Sequence, residues 1–279
     1  METHHDLTTQ WLPRPEGRLA YTVQGAGPLI IALPGMGDLR QTWDAIIPAL
    51  VAAGYQVAAM DLRGHGQSDT TFNDHGDLAT AEDFLALAKH LGKDRVILLG
   101  NSMAGSAAVV AAGMDPHRIA AAVMVNGFLR EPGGNPSRYL LHMAYRLLFS
   151  RPWGAACWSG YYRSLNKGAA APGLETHLQL IRTSLSDPHR LRSFRQLCLQ
   201  LDHRQVADWA AKAAAPTLAI YGQRDPDFKD LDSEMQLARR LLDASTVVMP
   251  DSGHYPQHQH PGRLAELIVD FLSREDSRG

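Results

Sequence analysis

From residue 19 to about 130 the chain alternates short apolar runs with longer segments of helical periodicity, and it resumes that rhythm from 216 onward. This alternation is the strongest constraint on the fold. A short, nearly continuous apolar run suits a strand covered on both faces. Strands separated by helices pair in parallel, because a helical crossover returns the chain to the same edge of the sheet. Strands are expected over 19–23, 28–33, 55–60, 95–99, 120–125, 216–221 and 245–249. Helices are expected over 38–53, 77–91, 102–114 and 231–242. In a last helix Leu264, Leu267, Ile268, Phe271 and Leu272 recur at i, i+3, i+4, i+7 and i+8, which places them on one face. The expected class is α/β, with a mostly parallel central sheet and helices on both faces.

Residues 131–213 break the rhythm. No strong strand pattern occurs there. Helical runs are separated by Glu131-Pro132-Gly133-Gly134, Ala171-Pro172-Gly173 and Asp187-Pro188, and the segment holds Trp153, Trp158, Tyr161, Tyr162 and Trp209. It reads as a helical insertion, a lid, over a core domain formed by 1–130 and 214–279. No internal repeat or low-complexity tract occurs.

Composition narrows the function. Of 279 residues, 45% are hydrophobic and 20% charged, as in an ordinary globular chain. The net charge of −2 and the absence of any Lys/Arg run argue against a nucleic-acid partner. Cys157 and Cys198 are too few and too far apart for a disulfide framework or a zinc site, and read as two buried thiols in a reducing compartment. No apolar stretch reaches the roughly 18 residues of a membrane span. The first residues show neither a basic nor an apolar signal region, so a cytoplasmic location is expected.

The expected strand ending at Leu99 runs into Gly100-Asn101-Ser102-Met103-Ala104-Gly105 and then a helix of small residues. A serine on a sharp strand-to-helix turn is pushed out above the sheet, and its neighbours must be small because the two backbones nearly touch. The helix N-terminus behind it favours developing negative charge. The usual pattern is G-x-S-x-G; Ala104 stands where the second glycine falls, and is small enough to fit.

After the last expected strand comes Ser252-Gly253-His254-Tyr255-Pro256. A histidine on that loop can reach a serine at the C-terminal edge of the sheet, and imidazole titrates near neutrality. After the strand at 216–221 come Asp225-Pro226-Asp227. A carboxylate there can hold the imidazole N–H and fix its tautomer. Asp225 is preferred and Asp227 is the alternative. The position after the strand that follows the elbow helix is Asn126-Gly127, which offers no acid. His4, His5, His75, His90, His117, His177 and His189 are expected to be solvated. His258 and His260 lack an evident third metal ligand, and no metal or organic cofactor is expected.

Four blocks in this order resemble the α/β-hydrolase superfamily across nearly the whole chain: Leu33-Pro34-Gly35-Met36-Gly37, Asp61-Leu62-Arg63-Gly64-His65-Gly66-Gln67-Ser68-Asp69, the Ser102 elbow, and Gly253-His254. The order Ser, Asp, His is also that of this fold. The resemblance implies an α/β-hydrolase fold and an oxyanion hole from the backbone N–H groups of Met36 and Met103, with Pro34 replacing the family's usual histidine. It makes the second block structural, with Asp61 and Arg63 bonding nearby loops and no catalytic part for His65. The Asn101-Ser102-Met103 elbow looks like that of the meta-cleavage-product C–C hydrolases and of many uncharacterised bacterial hydrolases. Related epoxide hydrolases and dehalogenases carry Asp at the nucleophile position, which Ser102 argues against.

The expected activity is hydrolysis of a small, fairly apolar ester through an acyl-enzyme. Met143, Tyr145, Phe149, Trp153, Trp158, Tyr161 and Tyr162 are candidate pocket walls, and Arg146, Arg151, Arg163, Arg182 and Arg195 are expected to be solvated. C–C bond hydrolysis, acyl transfer or cofactor-free peroxidation on the same scaffold, and slow-turnover ligand sensing remain alternatives, because a fold alone does not fix a reaction.

Overall fold

The computed structural model describes residues 8–131 and 138–277. Its sheet is built from β1 (Gln10–Arg14), β2 (Gly17–Gln24), β3 (Leu29–Leu33), β4 (Gln56–Met60), β5 (Val96–Asn101), β6 (Ile119–Val125), β7 (Thr217–Gly222) and β8 (Ser245–Met249). The spatial order is β1-β2-β4-β3-β5-β6-β7-β8. β1 and β2 pair antiparallel, as do β2 and β4, and every later pair is parallel.

The period-two geometry of the strands sorts side chains onto two cores. Leu29, Ile31 and Leu33 of β3 join Leu98 of β5 on one face, under α2 (Asp77–His90) and α3 (Met103–Met114). Ile30 and Ala32 join Ile97 and Leu99 on the other, under α1 (Ile47–Ala52) and the last helix, whose expected apolar face contributes Leu264, Ile268, Phe271 and Leu272.

Between β6 and β7 lie α4 (Arg138–Leu148), α5 (Gly154–Leu165), α6 (Leu174–Ser186), α7 (Pro188–Gln200) and the short α8 (Val206–Ala210). Ala171-Pro172-Gly173 separates α5 from α6. Asp187 caps α7 by accepting from the His189 and Arg190 N–H groups at 2.8 and 3.0 Å, and Pro188 takes the first helical position. Residues 132–134 of the first expected break, like His4 and His5, lie outside the described residues. A third core, including Phe149, Trp158, Tyr162, Ile181 and Phe194, joins these helices to Leu39 and Tyr255 of the sheet's upper edge. The remaining helices are α9 (Leu231–Leu242), α10 (Pro256–Gln259) and α11 (Pro261–Asp276).

Three local expectations are corrected. The strand β1 had no counterpart in the sequence pattern: it is an edge strand containing Pro13 and burying only Leu12 among its apolar residues. The helix expected over 38–53 is a 3-10 turn, Arg40–Trp43, followed by α1. Pro48 cannot donate to Asp44, so an upstream helix cannot run through it. Of the two thiols expected to be buried, Cys198 is, whereas Cys157 is partly exposed. Among the described residues no helix is long and apolar enough to cross a membrane.

Candidate active site

β5 continues through Asn101, and Ser102 follows at φ 55°, ψ −126°, a conformation few non-glycine residues adopt. The strain is held by close packing and hydrogen bonds. A Cβ on Gly100 would lie 2.1 Å from the Ala104 carbonyl oxygen, and the Ser102 N–H donates to Val125 O at 2.8 Å. α3 starts at Met103, so its leading N–H groups have no acceptor within the helix. The loop after β3 runs directly against the serine: a Cβ on Gly35 would sit 3.0 Å from Ser102 Cβ.

His254 and Asp225 are both buried, and His254 Nδ1 lies 2.6 Å from Asp225 Oδ2. Asp227 Oδ2 is farther from the same nitrogen, at 3.6 Å. Asp227 instead donates its N–H to Asp225 Oδ1 at 3.0 Å and accepts from the Tyr161 hydroxyl at 3.2 Å. Burial opposes a charge on His254, but the Asp225 carboxylate and its hydrogen bond, with Asp227 adding to them, hold the imidazole above its ordinary value. Burial, reinforced by Asp225, holds the Asp227 carboxyl above the usual carboxylate range.

Two carboxamides fix the histidine loop to the sheet. Asn101 Nδ2 donates to Val125 O and His254 O, both at 3.1 Å. Asn126, at φ 49°, donates from Nδ2 to Gly253 O at 3.2 Å and His254 O at 3.0 Å, while its Oδ1 accepts from Gly222 N at 2.8 Å. Sequence reasoning weighed Asn126 only as a missing acid. The signal was an Asn-Gly pair at a strand end, where asparagine tolerates positive φ.

The loop at 35–39 is held from two sides. His65 Nδ1 lies 2.9 Å from Arg63 O and its Nε2 accepts from Gly37 N at 3.3 Å, so this histidine supports the loop. From the helices above, Trp158 Nε1 donates to Gly37 O at 2.8 Å, and Cys198 Sγ lies 3.7 Å from Met36 Sδ. Below the loop Asp61 accepts from Arg40 N at 2.9 Å and from Gln67 N at 3.0 Å, and Arg63 grips Asp83 at 2.7 and 2.9 Å.

A buried polar cluster lies beside the loop. Asp38 Oδ1 is 2.6 Å from His177 Nε2 of α6, and Asp38 Oδ2 accepts from the Tyr162 hydroxyl of α5 at 3.0 Å. His258 Nε2 is 3.0 Å from both Tyr162 Oη and Thr42 Oγ1. Burial pushes the His258 imidazole down to about 4. Asp38, His177 and His258 bring ligand-type atoms within 4.8 Å of one another, as do Asp225, Asp227 and His254. The third partner that His258 lacked in sequence is thus present, 81 and 220 residues away along the chain. In the structure these atoms are engaged with one another and with Tyr162 and Thr42. The expectation of a solvated His177 is corrected, because it lies on the buried face of α6 with Leu178, Ile181 and Leu185. His75 is also buried, which pushes it down to about 4. His90, His117 and His189 are exposed.

The candidate pocket residues divide. Tyr145, Phe149 and Trp158 gather around Phe194, with ring-centroid separations of 5.7 Å for Tyr145–Phe149, 4.9 Å for Phe149–Phe194 and 4.7 Å for Trp158–Phe194. Tyr161 stacks obliquely on Trp158, and Tyr162 lies flat on Tyr255 at 3.9 Å. Met143 and Trp153 are each 48% exposed and are not drawn into this group. Phe128 stacks near His254 at 6.3 Å, a neighbour the sequence pattern did not reveal. Arg146, Arg151, Arg163 and Arg182 are exposed, and Arg195 is half-buried.

The chain belongs to the alpha/beta hydrolase fold family, which matches residues 28–261. It is 26% identical over 284 residues to the 2-hydroxy-6-oxononadienedioate/2-hydroxy-6-oxononatrienedioate hydrolase of Paraburkholderia xenovorans, covering 92% of this chain and 91% of that one. A thermophilic esterase from Thermogutta terrifontis, solved with malate bound, superposes with a TM-score of 0.79 at 23% identity, covering 96% of this chain and 99% of that one. The 2-hydroxy-6-oxo-6-phenylhexa-2,4-dienoate hydrolase of Rhodococcus sp. strain RHA1 superposes with a TM-score of 0.80 at 20% identity, over 96% and 99%. The two structural likenesses show the fold.

Proposed function

We propose that the chain is a serine hydrolase in which Ser102 is the nucleophile, His254 the general base and Asp225 the acid that orients it. The observation that carries this reading is the buried 2.6 Å contact between His254 Nδ1 and Asp225, on a loop pinned by Asn101 and Asn126 to the strand ends that present Ser102. Ser102 Oγ attacks a carbonyl carbon and His254 Nε2 takes its proton. The Met36 and Met103 N–H groups bind the oxyanion, each contributing about 3 kcal/mol to the transition state. The proton then passes from His254 to the leaving group, and a water, activated by the same imidazole, cleaves the acyl-enzyme. Residues 131–213 act as a lid over this site, with Tyr145, Phe149 and Trp158 toward the substrate and a small, fairly apolar ester as the preferred class.

A second reading is hydrolysis of a C–C bond in a vinylogous diketone. It is favoured by the Asn101-Ser102-Met103 elbow together with the relative from Paraburkholderia xenovorans, which is named for a substrate of that kind.

The test is fluorophosphonate labelling of the wild type and Ser102→Ala beside turnover of a nitrophenyl ester series and a vinylogous 1,5-diketone. Labelling and ester turnover that both vanish in Ser102→Ala support the esterase. Turnover of the diketone with inert esters selects the second reading. A folded wild type that neither labels nor turns over any of these substrates rules out both.

A further inference from the structure

Helix α4 is turned inside out. Toward the protein it shows Tyr145 and His142, and just past its end Phe149 is buried against Trp158 and Phe194. Leu140, Leu141, Met143, Ala144, Leu147 and Leu148 face solvent. Leu140 is 65% exposed, Met143 48% and Leu147 70%, at i, i+3 and i+7, with Leu141 and Leu148 beside them. At 100° per residue, these five and Ala144 cover an arc of about 160°, centred roughly opposite Phe149. A helix of a water-soluble protein ordinarily turns such an arc to the core. A contiguous apolar face left outside marks a surface that something covers. Trp153 extends it, half-exposed and held to the helix end by donating Nε1 to Leu147 O at 2.9 Å.

Charge indicates the occupant. Residues 138–200 carry nine Lys and Arg side chains against only Glu175 and Asp187, a net +7 within a chain whose total is −2. α4 itself has no acidic residue, and Arg146 and Arg151 flank the apolar arc on the surface. An apolar helical face rimmed by arginine, with an aromatic residue at its edge, fits the boundary of an anionic lipid layer. A second copy of the chain fits poorly, because a twofold contact through this face would bring two strongly cationic segments together. Among the described residues no helix is long and apolar enough to cross a membrane.

We propose that the outer face of α4, with Trp153, Arg146 and Arg151, docks on an anionic lipid surface. This does not rest on the assignment of Ser102. The experiment is cosedimentation of the full chain with phosphatidylcholine vesicles, with and without phosphatidylglycerol. The wild type is expected to sediment with the anionic vesicles and to be released by high salt. Leu140→Gln/Leu147→Gln is expected to lower that affinity about tenfold or more, with circular dichroism and fluorophosphonate labelling unchanged from the wild type. Arg146→Glu/Arg151→Glu is expected to weaken binding to the anionic vesicles. Failure of the wild type to bind them, or binding by both variants as tight as that of the wild type, overturns the proposal. So does light scattering that shows a wild-type dimer reduced to monomer by the leucine substitutions, which assigns the face to a second copy. Labelling is read separately, so failure of the serine chemistry is distinguishable from failure of docking.

Discussion

The Trp158 indole donates to the Gly37 carbonyl at 2.8 Å, so helix α5 grips the loop that carries Met36. Trp158→Phe keeps the aromatic contact with Phe194 and removes the donor. Gly37 O then loses a buried partner, at a cost of about 1–3 kcal/mol. If the loop holds an oxyanion donor, kcat on a nitrophenyl ester falls about tenfold while KM changes little. Steady-state kinetics checks this. A rise in KM at constant kcat would make Trp158 a pocket wall alone.

Two carboxylates approach His254, and they separate by substitution. Asp225→Asn is expected to lower kcat about 10⁴-fold, because the amide favours the wrong imidazole tautomer. Asp227→Asn, which loses a contact of 3.6 Å, is expected to cost less than about tenfold. Equal losses in ester turnover would show that the acid is misassigned.

The same contacts set a pH dependence. In the proposed mechanism His254 serves as a base only when neutral, and its pKa lies above the ordinary value because Asp225, then Asp227, outweigh the effect of burial. The rate therefore falls as pH drops through a midpoint above about 6.5. Asp227→Asn removes one of the charges that hold the proton and moves that midpoint down. A pH profile of kcat/KM for the two proteins reads the shift, and an upward shift contradicts the arrangement.

Much of the candidate site's placement was legible in local sequence. The elbow and the loop holding Asp225 each follow a strand that is buried throughout, and the loop holding His254 follows β8, so chain order fixed which edge of the sheet they share. The helix Leu231–Leu242 and the strand Ser245–Met249 match their expected limits. β1 was illegible because an edge strand needs only one buried side chain, and its identity comes from pairing with β2. The Asp38–His177 contact joins residues 139 positions apart, which no local pattern encodes. The helical period did carry half of it, since His177 shares a face with Leu178 and Ile181.

That buried pair is also a stability element. Burial alone would hold the Asp38 carboxyl up, but His177, with His258 adding to it, brings it below the usual range. A carboxyl whose pKa is lowered by folding contributes stability above its unfolded value of about 3.9, and the contribution fades as pH falls through the folded value. His177→Ala is expected to cost about 3 kcal/mol at neutral pH, because it strands a buried charge. The gap to the wild type should narrow below about pH 4. Urea titrations at the two pH values test both statements.

The grip of Trp158, Tyr162, His177 and Cys198 on residues 36–38 limits how modular this architecture is. A chimaera that exchanged residues 138–200 for the equivalent stretch of a relative would replace every one of those holds at once. New helices and a displaced 36–38 loop would arrive together. Recombination therefore has to carry the 36–38 loop along with the helices above it, and the two pieces are expected to change as one inherited block.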